Sequence, residues 1–203
     1  MTEKILHKAS ELFLNLGFKS VTMDDIANNL GVSKKTLYKY FENKTFLVGK
    51  VTDYMFGIIS EGIDRVCALD LNPIAEIFEI KNLMMQHLKD EKSSPQHQLQ
   101  KYYPGIFDAL KKKQFKMIQE LTIENIKKGK EQGLYRADLD IDFVTRIYFI
   151  GVTGIKDKDY FPLVNYSMQT LNAFFLEYHL RGICSEKGII ELEKQLEKNK
   201  NSL

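Results

Sequence analysis

Three helix starts stand close together in this chain, at Thr22, Ser33 and Asn43, and their spacing forces short helices to turn back on one another. Thr22 is placed as an N-cap, and Asp25, three residues on, reaches back as an acidic form of the capping box. Val21 before this cap and Ile26 after it make a hydrophobic staple. The helix so begun runs from Met23 to about Leu30, where Gly31 and Val32 supply a tight turn. Ser33 repeats the device, with Val32 and Leu37 as its staple, and opens a helix that ends near Phe41. Asn43 then caps a long helix from Lys44 to about Leu69. Two short helices joined by a glycine turn describe a helix-turn-helix.

The flanking sequence repeats apolar residues at three and four, with few alternating stretches, so an all-α fold is expected. Ile5, Ala9, Leu12, Phe13 and Leu16 stripe a first helix from Thr2 to Leu16, and Gly17 ends it. Further helices are expected from Asn72-Pro73 to about Lys89, from Pro104 to Gln132 as one long helix or a kinked pair, and from Asp142 to Lys156. Two more follow, from Pro162 to Gly182 and from Ser185 to about Lys198. Residues from Asp90 to Pro95 read as a polar loop. The division expected is a three-helix head over residues 1–47 and a larger helical domain over 48–203.

A formal net charge of +2 says little about partners, but its placement says more. Between Gly31 and Lys50 the chain carries Lys34, Lys35, Lys39, Lys44 and Lys50 against the single acid Glu42. On a helical wheel Leu37 and Phe41 share the inward face of the third helix. Lys35 and Lys39 lie opposite them, with Thr36 alongside and Tyr38 and Tyr40 on the flanks. Donors over the outward centre and hydroxyls at the edges suit a helix that enters a major groove between two phosphate backbones.

The run TMDDIANNLGVSKKTLYKYFENK resembles the DNA-binding head of the TetR family of one-component repressors, and KILHKASELFLNLGF is similar to that family's first helix. The motif is carried by Thr22, Ile26-Ala27, Gly31-Val32-Ser33, Thr36-Leu37-Tyr38, Phe41 and Lys44. The resemblance implies that Thr22, Tyr38, Tyr40 and Lys44 hold phosphates. It implies that Lys34, Lys35, Thr36 and Lys39 approach bases or adjacent phosphates, with Ser33 in the same interface. Lys35, Tyr40 and Thr45 depart from residues common in the family, which leaves the docking mode but not the operator sequence readable. Beyond Lys50 the resemblance is architectural, and implies a domain that dimerises and encloses an inducer.

In that domain Val164, Met168, Leu171, Phe175 and Tyr178 recur at four, three, four and three, a spacing suited to helix pairing. Val144, Ile147, Gly151 and Ile155 on the preceding helix complete the expected homodimer seam, with Phe174 widening it. Candidate lining for a small apolar or aromatic inducer is Phe78, Met85, Tyr102, Tyr103, Phe107, Phe115 and Tyr148, with Asn82, His87, Gln119 or Thr122 as polar groups.

Lys111, Lys112, Lys113 and Lys116 read as a solvated face of a long helix. The four histidines lack metal-ligand spacing, and no phosphate loop, nucleophile elbow or Cys/His pairing calls for a cofactor or an enzyme. Cys67 and Cys184 stand alone, as reduced thiols in a cytoplasmic protein do. Phe143 to Ile155, the most apolar later segment, is too short to span a bilayer. The leading expectation is therefore a ligand-released repressor that binds a near-palindromic double-stranded DNA operator as a dimer. Two rivals stay open: a DNA-anchored protein-interaction factor of nucleoid or cell-division type, and a helical enzyme with a vestigial head.

Overall fold

The computed structural model describes residues 1–88, 95–157, 159–162 and 164–200. The described residues form α1 (Thr2–Leu16), α2 (Met23–Leu30), α3 (Lys34–Tyr38), α4 (Lys44–Cys67), α5 (Pro73–Leu88), α6 (Pro95–Tyr102), α7 (Pro104–Glu131), α8 (Ile141–Gly154), α9 (Met168–Ile183) and α10 (Glu186–Lys200). Among them no strand appears; the only extended pairing is an isolated bridge between Tyr135 and Cys184. The expected loop over 90–95 lies, apart from Pro95, outside the described residues.

The chain divides by contacts into two units, residues 1–64 with 86–113, and residues 65–85 with 114–203. In the first, Ile5, Ala9 and Phe13 of α1 meet Ile26, Leu37, Leu47 and Val48, all fully or almost fully buried. Each such aliphatic or aromatic side chain contributes roughly 1.5–3 kcal/mol through its removal from water. Gly17 ends α1 at φ 88°, and its N–H reaches the carbonyl of Phe13. Phe18 then folds back to stack on Phe13 with centroids 4.9 Å apart.

Helix α6 is an element the sequence reading did not anticipate, because Leu99 is its sole aliphatic residue. That one side chain is buried in the core of the first unit, and Gln98 beside it accepts a hydrogen bond from the Lys19 N–H at 3.2 Å. The Gln98 carboxamide lies so close over Gly17 that a Cβ there would come within 2.4 Å of it. Glycine is needed at 17 for its positive φ, whereas the flexible Gln98 side chain could swing aside for a Cβ.

The second unit buries Ile74 and Phe78 of α5, Ile126 of α7, Leu176 and Leu180 of α9 and Leu192 of α10 around Tyr135. The Tyr135 hydroxyl donates to Asn125 Oδ1 at 2.9 Å, and Asn125 Nδ2 donates to the Pro73 carbonyl and to Glu76 Oε1. This network satisfies buried polar groups from α5, α7 and the α7–α8 connection together. Burial raises the Tyr135 phenol well above its ordinary value, so it remains a donor.

Helix α9 starts at Met168, not at Pro162, because Ser167 accepts from the Thr170 N–H at 3.0 Å and fixes the start there.

Candidate nucleic-acid interface

The helix-turn-helix is set by local bonds. The Thr22 hydroxyl accepts from the Asp25 N–H at 3.1 Å, and the Asp25 carboxylate accepts from the Thr22 N–H at 2.8 Å. Those two bonds hold the Asp25 carboxyl below its ordinary range. At the other end of α2, Gly31 is left-handed at φ 66°. Val32 N–H reaches Ala27 O at 3.0 Å and Gly31 N–H reaches Asn28 O at 3.1 Å, which closes α2 in a Schellman turn. Ser33 Oγ accepts from the Thr36 N–H, also at 3.1 Å, and so aims α3.

Regular α-helix in α3 covers only Lys34–Tyr38, shorter than the expected run to Phe41. Lys39 and Tyr40 bond back three residues, which tightens the last turn, yet Phe41 N–H still reaches Leu37 O at 3.1 Å. Leu37 and Phe41 therefore stay on one buried face, and the outward face keeps its composition.

On that outward face Lys35 and Lys39 are exposed and Tyr38 and Tyr40 are 42% and 43% exposed. The other candidates are engaged. Lys34 Nζ lies 2.9 Å from the Asp24 carboxylate, which raises its affinity for the proton. The Thr36 hydroxyl shares a 2.8 Å hydrogen bond with Ser33 Oγ, and the Thr22 hydroxyl lies 2.7 Å from Asp25 Oδ2. Half-buried Lys44 donates to the Lys19 carbonyl at 3.0 Å, and desolvation lowers its pKa. It ties the start of α4 to the α1–α2 connection. Asn43 caps α4 by accepting from the Phe46 N–H at 2.8 Å. The Lys34–Asp24 pair is not legible in the sequence, since it joins residues that only the turn brings together.

The family model for the bacterial regulatory proteins of the tetR family matches residues 5–51, the stretch that contains all of this geometry. Residues 5–51 are thus a TetR-family DNA-binding head. With this head, and with transcriptional repressors as relatives along most of its length, the chain is a DNA-binding transcriptional regulator. It is 24% identical over 191 residues to the transcriptional repressor KstR2 of Mycolicibacterium smegmatis, covering 92% of each chain. Its fold is similar to that of the regulatory protein TetR from Rhodobacter sphaeroides, with TM-score 0.70 and 16% identity over 89% of this chain and 97% of that one. It is also similar to Thermus thermophilus FadR, solved in complex with lauroyl-CoA, with TM-score 0.58 and 23% identity over 89% and 92% of the two chains.

The eleven inducer-lining candidates are not gathered in one place. Tyr102, Tyr103 and Phe107 belong to the first unit: Tyr102 is exposed beneath Lys19 Nζ, Tyr103 meets the Phe18 ring edge-on, and Phe107 packs on the core of the head. Their aromatic character serves α6 and the start of α7 as packing. Phe78 is core of the second unit, and Phe115 stands edge-on to Phe149 at 4.9 Å. Asn82 donates to Asn199 Oδ1 at 3.4 Å, while Met85 and Gln119 are half-buried. The His87 side chain lies outside the described residues. Thr122 and Tyr148 do come together, with Asn125 and His179, around a small recess of about 10 Å³. Sequence reading missed His179, which sits at a core position of α9 and carries no spacing signal.

The expected dimer seam divides in the same way. Val144, Ile155 and Leu171 are buried within the chain, and Phe175 lies over Gly151 so closely that a Cβ there would meet its ring at 2.0 Å. The approach of Phe175 to Gly151 joins α8 to α9. Met168 is half-buried, while Ile147, Val164 and Tyr178 are exposed. The open apolar row on α8 is Phe143, Ile147 and Ile150, and on α9 it is Phe174 and Tyr178. The heptad spacing could not say which stripe the chain itself would consume. Among the described residues no helix is long and apolar enough to cross a membrane, and no group of His, Cys, Asp and Glu is placed to hold a metal ion.

Proposed function

We propose that this chain is a ligand-released repressor that binds a near-palindromic operator as a homodimer, with residues 1–47 as its reading head and 48–203 as the regulatory part. The observation that carries the reading is α3: its start is set by the Ser33 cap, its inner face by Leu37 and Phe41, and its outer face offers Lys35 and Lys39 between Tyr38 and Tyr40. Two such helices in successive major grooves stand about 34–36 Å apart. Lys35, Thr36 and Lys39 would read base edges. Tyr38 and Tyr40 would reach phosphates, with Thr22, Ser33, Lys34 and Lys44 shaping the walls of the same interface.

Dimerisation would use the row Phe143, Ile147 and Ile150 with Phe174 and Tyr178, since five large apolar side chains left in water on adjoining helices mark an association surface. Release requires that ligand bind the DNA-incompetent arrangement more tightly than the competent one. FadR with lauroyl-CoA, a protein of similar fold, supports a small molecule as the signal. The repressor names of relatives along most of the chain weigh against a purely scaffolding role. The work is done wherever the chromosome lies, which places the protein in the cytoplasm. Selection of the full-length protein on a pool of random duplexes tests the reading. Enrichment of an inverted repeat is expected, and a pool left without sequence preference would overturn it.

A further inference from the structure

Ile77 of α5, Thr122 and Asn125 of α7, Tyr148 of α8, and His179 and Ile183 of α9 converge on the recess in the second unit. We infer that this recess is the anchoring end of the inducer site and takes an uncharged apolar molecule through a single hydrogen-bonding oxygen, such as that of a ketone or an alcohol. The inference rests on the reading of the chain as a ligand-responsive regulator, and gives its ligand a chemical class.

His179 and Thr122 are buried and Tyr148 is half-buried around the recess, and their polar atoms are idle. His179 is 8% exposed and Thr122 likewise, and the His179 ring lies 4.8 Å from that of Tyr148 and 6.0 Å from that of Phe175. Among the described residues neither the imidazole of His179 nor the hydroxyls of Tyr148 and Thr122 find a hydrogen-bond partner. Asn125 contrasts with them: both protons of its Nδ2 are donated, to Pro73 O and Glu76 Oε1, and its Oδ1 already accepts from Tyr135. Polar groups in a protein interior are almost always paired, and three unpaired ones at the edge of a void can be satisfied by an oxygen that enters it. A volume of about 10 Å³ is on the scale of one water, so one oxygen fits where a larger group does not. The rest of a ligand must lie against apolar wall, which Ile77 and Ile183 provide.

Charge selects further. No Lys, Arg, Asp or Glu lines the recess. Burial holds the His179 imidazole neutral, with its pKa lowered to about 4, and keeps the Tyr148 phenol protonated at about 12. A carboxylate ligand would find no cation, and the Glu76 carboxylate stands directly behind Asn125. An ammonium would lose its hydration for neutral acceptors only. A neutral imidazole and a phenol each offer both a donor and an acceptor, which suits a carbonyl or hydroxyl oxygen.

The test uses the full chain at neutral pH with cyclohexanone and cyclohexanol against cyclohexanecarboxylate and cyclohexylammonium. Binding is read from the His179 ring resonances, assigned by their loss in His179→Phe. The ketone and the alcohol should shift those resonances and saturate, and the two ions should leave them in place. Tyr148→Phe and the isosteric Thr122→Val should each weaken the neutral probes by about tenfold while leaving the circular dichroism unchanged. Silence of His179 towards both neutral probes, or equal binding of the carboxylate, overturns the inference. Gel shifts on the same samples with selected DNA separate the two readings. DNA binding with a silent His179 rejects only the site, whereas a responsive His179 without any DNA preference rejects only the regulator.

Discussion

The ammonium of Lys34 lies 2.9 Å from the carboxylate of Asp24, so the first residue of α3 is tied across the turn to the first turn of α2. Both side chains are more than half exposed, and such a pair adds little to stability. Its effect falls on DNA instead, because a lysine paired with a carboxylate must exchange partners to meet a phosphate. Asp24→Asn should tighten binding to duplex DNA by about threefold to tenfold at low salt, with the gain shrinking as salt screens the charge. Gel-shift titrations at two ionic strengths check this, and an unchanged affinity at low salt would rule it out.

Lys35 and Tyr38 are exposed on the outward face of α3, whereas Leu37 and Phe41 form its buried side. The double variant Lys35→Ala, Tyr38→Ala should therefore lose at least about a hundredfold in operator affinity, at roughly 1–3 kcal/mol for each base or phosphate contact. Its melting temperature should stay within about 2 °C of the parent, since surface changes of this kind cost little. Unchanged affinity would reject the assignment of these residues.

Phe174 and Tyr178 are 62% and 80% exposed on α9, and Phe143 and Ile150 are 63% and 61% exposed on α8. A glutamate among them would have to be desolvated in any paired state, while the isolated chain would scarcely register it. Phe174→Glu should shift the protein from dimer to monomer in sedimentation at micromolar concentration, with helicity retained. Leu171 is buried, so Leu171→Glu should unfold the second unit instead.

The Thr145 hydroxyl on α8 is fully buried and has no partner among the described residues. Replacing it by a methyl group of the same shape removes a desolvated polar atom and leaves no cavity. Thr145→Val should raise stability by on the order of 1 kcal/mol. A loss of stability in denaturant titration would show that the hydroxyl is bonded in solution.

Burial lowers the His179 pKa from 6.5 to about 4. The unfolded chain then takes up this proton near pH 6.5, whereas the folded chain resists it until about pH 4. The stability carried by the neutral form is full above pH 6.5 and drains as pH falls towards 4. Between about pH 7 and pH 5 the loss should be roughly 2 kcal/mol, by proton linkage. His179→Phe should flatten that segment of the stability profile; a parallel profile in the variant would place the titration elsewhere.

Much of the head was legible because its decisive signals are local. Thr22 with Asp25, Ser33 with Thr36 and Asn43 with Phe46 each bond within three residues, so spacing alone announces them. The end of α3 lies about one turn, and the start of α9 nearly two turns, from the positions expected, since the apolar period continues past the point where backbone bonding changes.

The three capped helix starts, the glycine turn and the outward Lys35, Tyr38, Lys39 and Tyr40 were determined by sequence alone, because caps, period and handedness act over a few residues. Tertiary structure decided what depends on distant neighbours: that Lys34 pairs with Asp24, that Lys44 braces Lys19, and that Leu99 buries α6 in the head. It decided too which stripe of α8 and α9 the chain buries and which it leaves open, and that His179 meets Thr122 and Tyr148 at one void. An apolar residue announces that it will be buried, but its sequence position does not name the surface that will bury it.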